Sequence, residues 1–265
     1  MPEFLKKVAI QKEEAFTKEG VGSSTTLHVD EISMKKGHGQ FETIVSTPDC
    51  ILEMMPGRQS VDLEALLKGI PGVNRIKTVC MDMCAAFADA VRKAIPQAEI
   101  ICDRFHIIKL LNKKLDKLRI NLYQCLDQAK QERFKSIRFL LFKDRRKLLP
   151  WEKRLMKEYL QFSLEMKEIY WLTQSFRRIL FGLEKNRQAV SNALLAWCDK
   201  ARKHLGKFVK TLETWWEEVL NACLFSESNG RAEGVNNKIK LIKRRAYGFR
   251  NRLNFRHHIL AAFNP

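Results

Sequence analysis

Three carboxylates, Asp30, Asp82 and Glu233, stand far apart in the chain, yet each sits where a side chain leaves the end of an element. Asp30 ends a strand expected over residues 25–30, and Asp82 follows one expected over 76–81. Glu233 lies near the start of a helix opened by the turn signal Asn229-Gly230. If the first two strands are neighbours in a mixed sheet, Asp30 and Asp82 emerge at the same edge, and a helix lying across the sheet brings Glu233 to it. Mg²⁺ or Mn²⁺ takes oxygen ligands. Two such ions roughly 3.5–4 Å apart stabilise both the attacking and the leaving oxygen of a phosphodiester. Taken singly, each residue has an ordinary role: an aspartate after a strand forms turns or caps helices, and a lone glutamate among cations makes a surface ion pair. Glu31 points away from Asp30 by strand alternation and is the weaker ligand. Asp103 and His106 follow the fifth expected strand at the same edge, where a histidine not used structurally could contact a scissile phosphate.

The helix after Gly230 has two stripes. Val235, Ile239 and Ile242 form an apolar one, and Glu233, Asn237, Lys240 and Arg244 form a polar one. Nine Lys/Arg and one acid, Glu233, lie between Arg231 and Arg256. Arg231, Asn237, Lys238, Lys240, Lys243, Arg244, Arg245 and Arg250 are the candidate DNA-binding residues, suited to phosphate oxygens.

The formal charge of +18 is uneven: residues 1–100 carry −2, so the rest carry +20, which points to a polyanion, nucleic acid in the first place. Hydrophobic content of 45% over 265 residues supports a substantial core and excludes a disordered chain. No apolar run reaches the roughly 18–20 residues that span a bilayer, and no signal peptide is visible. Seven scattered cysteines without a CxxC pair indicate reduced thiols and a cytoplasmic location. Cys80-x3-Cys84 with Cys102-x3-His106 is a poor zinc set, because paired ligands usually sit closer together on turns.

Residues 1–22 read as a short amphipathic helix ending at Gly20-Val21-Gly22. Strands at 25–30, 41–47 and 51–55, with turns at Gly37-His38-Gly39 and Pro48-Asp49, make an antiparallel meander. A helix at 60–68, a strand at 76–81, a helix at 85–94 stopped by Pro96, and a strand at 99–102 continue as alternating α and β. The order matches an α/β ribonuclease-H-like mixed sheet. Beyond Phe105 three long helical segments are expected, at 107–143, 151–181 and 187–225, and these hold all five tryptophans, read as packing residues ahead of base-stacking ones.

Four separated motifs, in order, resemble the catalytic part of DDE transposases of the ISL3 group of bacterial insertion sequences. They are His28-Val29-Asp30-Glu31 with Lys36-Gly37-His38; Val79-Cys80-Met81-Asp82-Met83; Ala98-Glu99-Ile100-Ile101-Cys102-Asp103-Arg104-Phe105-His106 with Lys109-Leu110-Leu111-Asn112; and residues 229–251. The resemblance covers roughly residues 24–263. It implies a ribonuclease-H-like core with Asp30, Asp82 and Glu233 as the metal-binding acidic triad, and a large all-helical insertion in the stretch of about 150 residues before the glutamate helix. It also implies an Asp-x-x-His element at Asp103 and His106. The expected organisation is a short helical segment at 1–22, the first part of the core at 23–106, the insertion at 107–226, and the catalytic helix with a basic C-terminal part at 227–265. The expected activity is Mg²⁺- or Mn²⁺-dependent cleavage at insertion-sequence ends and strand transfer to target DNA by a homo-oligomer assembled on DNA. A nuclease without strand transfer and a non-catalytic DNA-binding remnant are the alternatives. Family members usually carry an N-terminal zinc-binding segment and a helix-turn-helix; about 24 residues before the first strand are too few for them, so a truncated catalytic body is expected.

Overall fold

The computed structural model describes residues 20–33, 41–226, 230–249 and 251–263, with side chains from Gly234 onward in the third stretch. The expected helix before Gly20, the Lys36-Gly37-His38 motif and its turn, Asn229 and Arg250 lie outside the described residues. The chain divides into two compact units, Met1–Asp103 with Glu227–Pro265, and Arg104–Ser226.

In the first unit the strands β1 (Thr26–Ser33), β2 (Phe41–Ser46), β3 (Ile51–Pro56), β4 (Thr78–Met81) and β5 (Glu99–Cys102) form one sheet in the order β3-β2-β1-β4-β5. The β1–β2 and β2–β3 pairs are antiparallel, and β1–β4 and β4–β5 are parallel. The meander turn forms where Pro48-Asp49 signals it: Thr47 Oγ1 accepts from the backbone N–H of Asp49 and of Cys50, each at 3.2 Å. Helices α1 (Ser60–Gly69) and α2 (Ala85–Ala94) lead into β4 and β5. They bury Leu63 and Leu67, and Phe87, Ala88, Ala90 and Val91. Leu27, Val29, Val79 and Met81 are fully buried, as expected of parallel strands covered on both faces. Before β1, Val21 N–H donates to Pro71 O at 3.1 Å. Gly20 takes φ +53 there and a Cβ would lie 2.1 Å from that oxygen, so only glycine fits.

The second unit is all helical: α3 (Arg104–Gln124), α4 (Gln128–Arg133), α5 (Ile137–Phe142), α6 (Pro150–Tyr159), α7 (Leu164–Leu180), α8 (Arg187–Thr214) and α9 (Trp216–Leu224). The three long expected segments are therefore seven helices. Polar caps explain the breaks. Asp127 accepts from Lys130 N–H, Ser163 from Met166 N–H and Asn186 from Ala189 N–H, and Pro150 sits at the first turn of α6. Helix α8 is itself kinked at Leu205, whose φ −125 and ψ 28 are not helical. Phe134, Tyr159, Tyr170 and Phe176 are fully buried, and Trp197, buried beside Phe176, donates from Nε1 to Leu172 O at 2.9 Å. Trp151 and Trp171, by contrast, are exposed. No helix among the described residues is long and apolar enough to cross a membrane.

The chain then returns to the sheet with α10 (Gly230–Arg245) and α11 (Arg252–Phe263). Ile239, Phe255, Ile259 and Leu260 pack on Ile32, Ile44, Ile51 and Met54, with Val235 and Ile242 beside them, so the apolar stripe of α10 is the one expected. Two ion pairs clasp α11. Arg256 forks onto Glu53 at 2.5 Å on both nitrogens, and Arg252 meets the buried carboxylate of Glu42 at 2.6 Å. Burial pushes the Glu42 carboxyl above its ordinary range, more than the Arg252 guanidinium lowers it. Arg252→Ala is expected to cost about 2–3 kcal/mol in urea denaturation, less than a wholly buried pair because Arg252 is half exposed. A raised carboxyl contributes stability fully at acidic pH and loses it as pH rises through the raised value, so the deficit should be smallest near pH 4 (roughly the ordinary carboxyl range) and grow towards neutrality.

Candidate active site

In the sheet ladder Val29 lies opposite Met81, and Met81 opposite Cys102. The next residues along these three adjacent strands are Asp30, Asp82 and Asp103, so they share one register line. The ladder continues to it, since Asp103 N–H donates to Met81 O at 2.8 Å. Equal register positions on neighbouring strands point to the same face. It is the face covered by α10, because Asp30 lies two residues from Ile32 and opposite Ile44, both in the α10 core.

Asp30 and Asp103 are buried, and Asp82 is half-buried with its Oδ1 sealed from solvent. Asp82 and Asp103 present carboxylate oxygens within 4.8 Å of each other. Two carboxylates this close repel, and a hard divalent cation between them offsets the repulsion. The donor set therefore fits Mg²⁺ or Mn²⁺. Asp30 is held on both oxygens: Oδ1 accepts from Glu31 N–H at 2.6 Å, and Oδ2 from the Asn236 side-chain amide at 2.5 Å. Glu31 itself turns to Arg58 at 3.2 Å.

Asn236 was not singled out by the sequence reading, which placed Asn237 on the polar stripe. Asn237 is exposed and Asn236 is buried. The available signal was position: Asn236 borders the apolar stripe beside Val235 and Ile239. Glu233 lies three residues before Asn236 in α10. Its side chain, and that of Arg231, are outside the described residues. His106 is in the first turn of α3, in the second unit. In that unit Arg104 donates from Nε to Ala222 O at 2.6 Å and also reaches Phe225 O, capping the end of α9.

The basic helix divides into two sets. Lys238 donates to Ala262 O at 2.7 Å and lies 4.2 Å from the Phe263 ring centre, and Lys243 donates to Ser33 O at 3.1 Å. Lys240, Arg244 and Arg245 are exposed and make no ion pair among the described residues. None of the seven cysteines forms a disulfide, and among the described residues no candidate metal cluster includes one.

A five-stranded mixed sheet with a line of aspartates on one face, together with many helices, is an α/β architecture consistent with a DDE transposase. The sequence model of the ISL3-type transposase family matches residues 27–259, and the chain belongs to that family. Over 250 residues it is 31% identical to the transposase for insertion sequence element IS1001 of Bordetella parapertussis, covering 89% of this chain and 60% of that one. The chain thus spans about 60% of that relative's length. A 52-residue stretch is 42% identical to part of an ATP-dependent protease of Lactococcus lactis subsp. lactis, over 20% of this chain and 17% of that protein, too short to bear on activity.

Proposed function

We propose that this chain is the catalytic body of a transposase that cuts DNA at insertion-sequence ends and joins the freed end to target DNA. The observation that carries this reading is the register line of Asp30, Asp82 and Asp103 beneath α10. In this reading the sheet order β3-β2-β1-β4-β5 corresponds to a ribonuclease-H-like core, and the all-helical unit to the insertion before the glutamate helix. Asp30, Asp82 and Glu233 are the metal ligands in this reading, with Asp103 beside Asp82. A divalent cation held there supplies Lewis-acid polarisation of the scissile phosphodiester and neutralises developing charge.

The chain's own residues do the rest. Asn236 fixes the orientation of Asp30 by donating to Oδ2. His106 contacts the scissile phosphate, and the cations of α10 hold the DNA backbone in register. Water hydrolyses one strand at the element end, and the released 3′ hydroxyl attacks a target phosphodiester in line. A new phosphodiester forms as the P–O bond to the target's 3′ oxygen breaks, and that oxygen leaves as a 3′ hydroxyl. The protein works in the cytoplasm, as a homo-oligomer assembled on element ends and target.

Incubating the protein and Mn²⁺ with duplexes carrying the ends of its element, plus a target duplex, tests this. The expected products are a nicked end with a 3′ hydroxyl and a longer joined strand. Nicking without joining would leave a nuclease, and binding without nicking a non-catalytic DNA-binding protein.

A further inference from the structure

The helical unit holds a cleft of about 530 Å³ that the cutting reaction does not use, within the roughly 300–1,000 Å³ typical of ligand sites. Lys153, Arg154 and Lys157 of α6, Lys167 of α7, and Arg145 line it, together with Trp171, and no carboxylate does. All five cations are exposed, and none makes an ion pair among the described residues. Of the acids nearby in sequence, Asp144 is engaged with Arg146 at 2.7 Å, Glu152 with Lys143 at 2.9 Å, Glu158 with Arg133 at 2.6 Å and Glu168 with His204 at 2.8 Å, and Glu165 does not line the cleft. The cleft's positive charge is therefore not neutralised from within.

Its wall is aromatic. Arg145 lies 4.8 Å from the Trp171 ring centre, and 43% of Trp171 remains exposed, in a unit whose other large aromatics include the fully buried Tyr159, Tyr170 and Phe176. Tyr170 also lines the cleft. Its hydroxyl is buried with no hydrogen-bond partner among the described residues, and burial pushes it up to about 12, so it stays a donor across the working range.

We propose that this cleft binds unpaired nucleotides of DNA, with a base stacked on Trp171 and the neighbouring phosphates on Lys153, Arg154, Lys157 and Lys167. The ligand must be anionic to match five uncompensated cations, and flat to use an exposed indole already flanked by a guanidinium. An acidic peptide meets the first requirement and lacks the planar group. Interior paired bases of a duplex are stacked on both sides and offer no free face. The inference rests on the reading that the chain acts on DNA.

Fluorescence anisotropy with two labelled probes of equal length tests it, one a blunt duplex and the other carrying a short unpaired thymine bulge, with polyglutamate as competitor. The whole chain should prefer the bulged probe. Trp171→Ala should erase at least about fivefold of that preference, the lower end of one base's stacking, and leave blunt-duplex affinity unchanged. Trp171→Phe should keep most of it, which separates stacking from a folding defect. An unchanged preference in Trp171→Ala, or polyglutamate competing as well as single-stranded thymidine oligomer, overturns the inference. Failure to bind either probe overturns the DNA reading itself and this inference with it.

Discussion

Glu233→Gln is expected to lower strand cleavage by about 10²–10³-fold or more, the loss associated with removing one group that stabilises transition-state charge. The fold should be kept, since the substitution preserves shape. Non-specific DNA binding without metal should tighten slightly, because the only acid in the run from Arg231 to Arg256 loses its charge. Asp30→Asn should match it in cleavage. Asn236→Ala should cost less, about 10–100-fold, because Asn236 acts through Asp30. Its cleavage should recover at higher Mn²⁺, whereas Glu233→Gln should not. Gel assays of nicking across a Mn²⁺ titration separate these outcomes. Near-normal cleavage by Glu233→Gln would shift the third ligand to Asp103, whose carboxylate already lies within 4.8 Å of Asp82.

The second large effect concerns salt. Lys240, Arg244 and Arg245 project from α10 without acid partners among the described residues, while Arg252 and Arg256 on the next helix are tied to Glu42 and Glu53. If the first three contact phosphates, replacing all three with Ala should reduce the slope of log affinity against log salt by about 2.7. The affinity gap between wild type and the triple variant should then shrink by about 40-fold between about 50 and 200 mM salt. Arg256→Ala should alter thermal stability and leave the slope alone. A triple variant with the wild-type slope would place the phosphate contacts elsewhere on the chain.

Elements with strong local punctuation were legible in the sequence. Helix α2 and strand β5 have the expected ends because Pro96 and the short apolar run Ile100-Ile101-Cys102 leave little choice. Strand β1 runs three residues past its expected end because it keeps pairing with β2, up to Ser33 opposite Phe41, after β4 has stopped. That pairing is non-local and leaves no trace within residues 26–33. The helix starting at Arg187 after Asn186 begins where expected, but the breaks at Asp127 and Ser163, also marked by capping residues, are hidden by a continuous Leu/Lys/Glu pattern when read by periodicity alone. Asp82 and Asp103 could be anticipated because each directly follows a short strand of predictable length, whereas Asp30 lies within β1, and its place in the line depends on the register with β4. The Asn236 contact could not be anticipated, because packing against the sheet sets how α10 is rotated, and that rotation decides which of two asparagines about 100° apart faces Asp30.

The discontinuity of the first unit has a consequence for synthesis. The apolar face formed by Ile32, Ile44, Ile51 and Met54 is covered by residues 239–260, which leave the ribosome only after the whole helical unit has been made. At roughly 5–20 residues per second, that interval lasts about 6–25 s. During it the meander carries a bare hydrophobic face, and Asp30 lacks the amide that orients it. The Asn236–Asp30 contact therefore forms only once α10 has emerged. A chain ending within the helical unit would keep that apolar face uncovered.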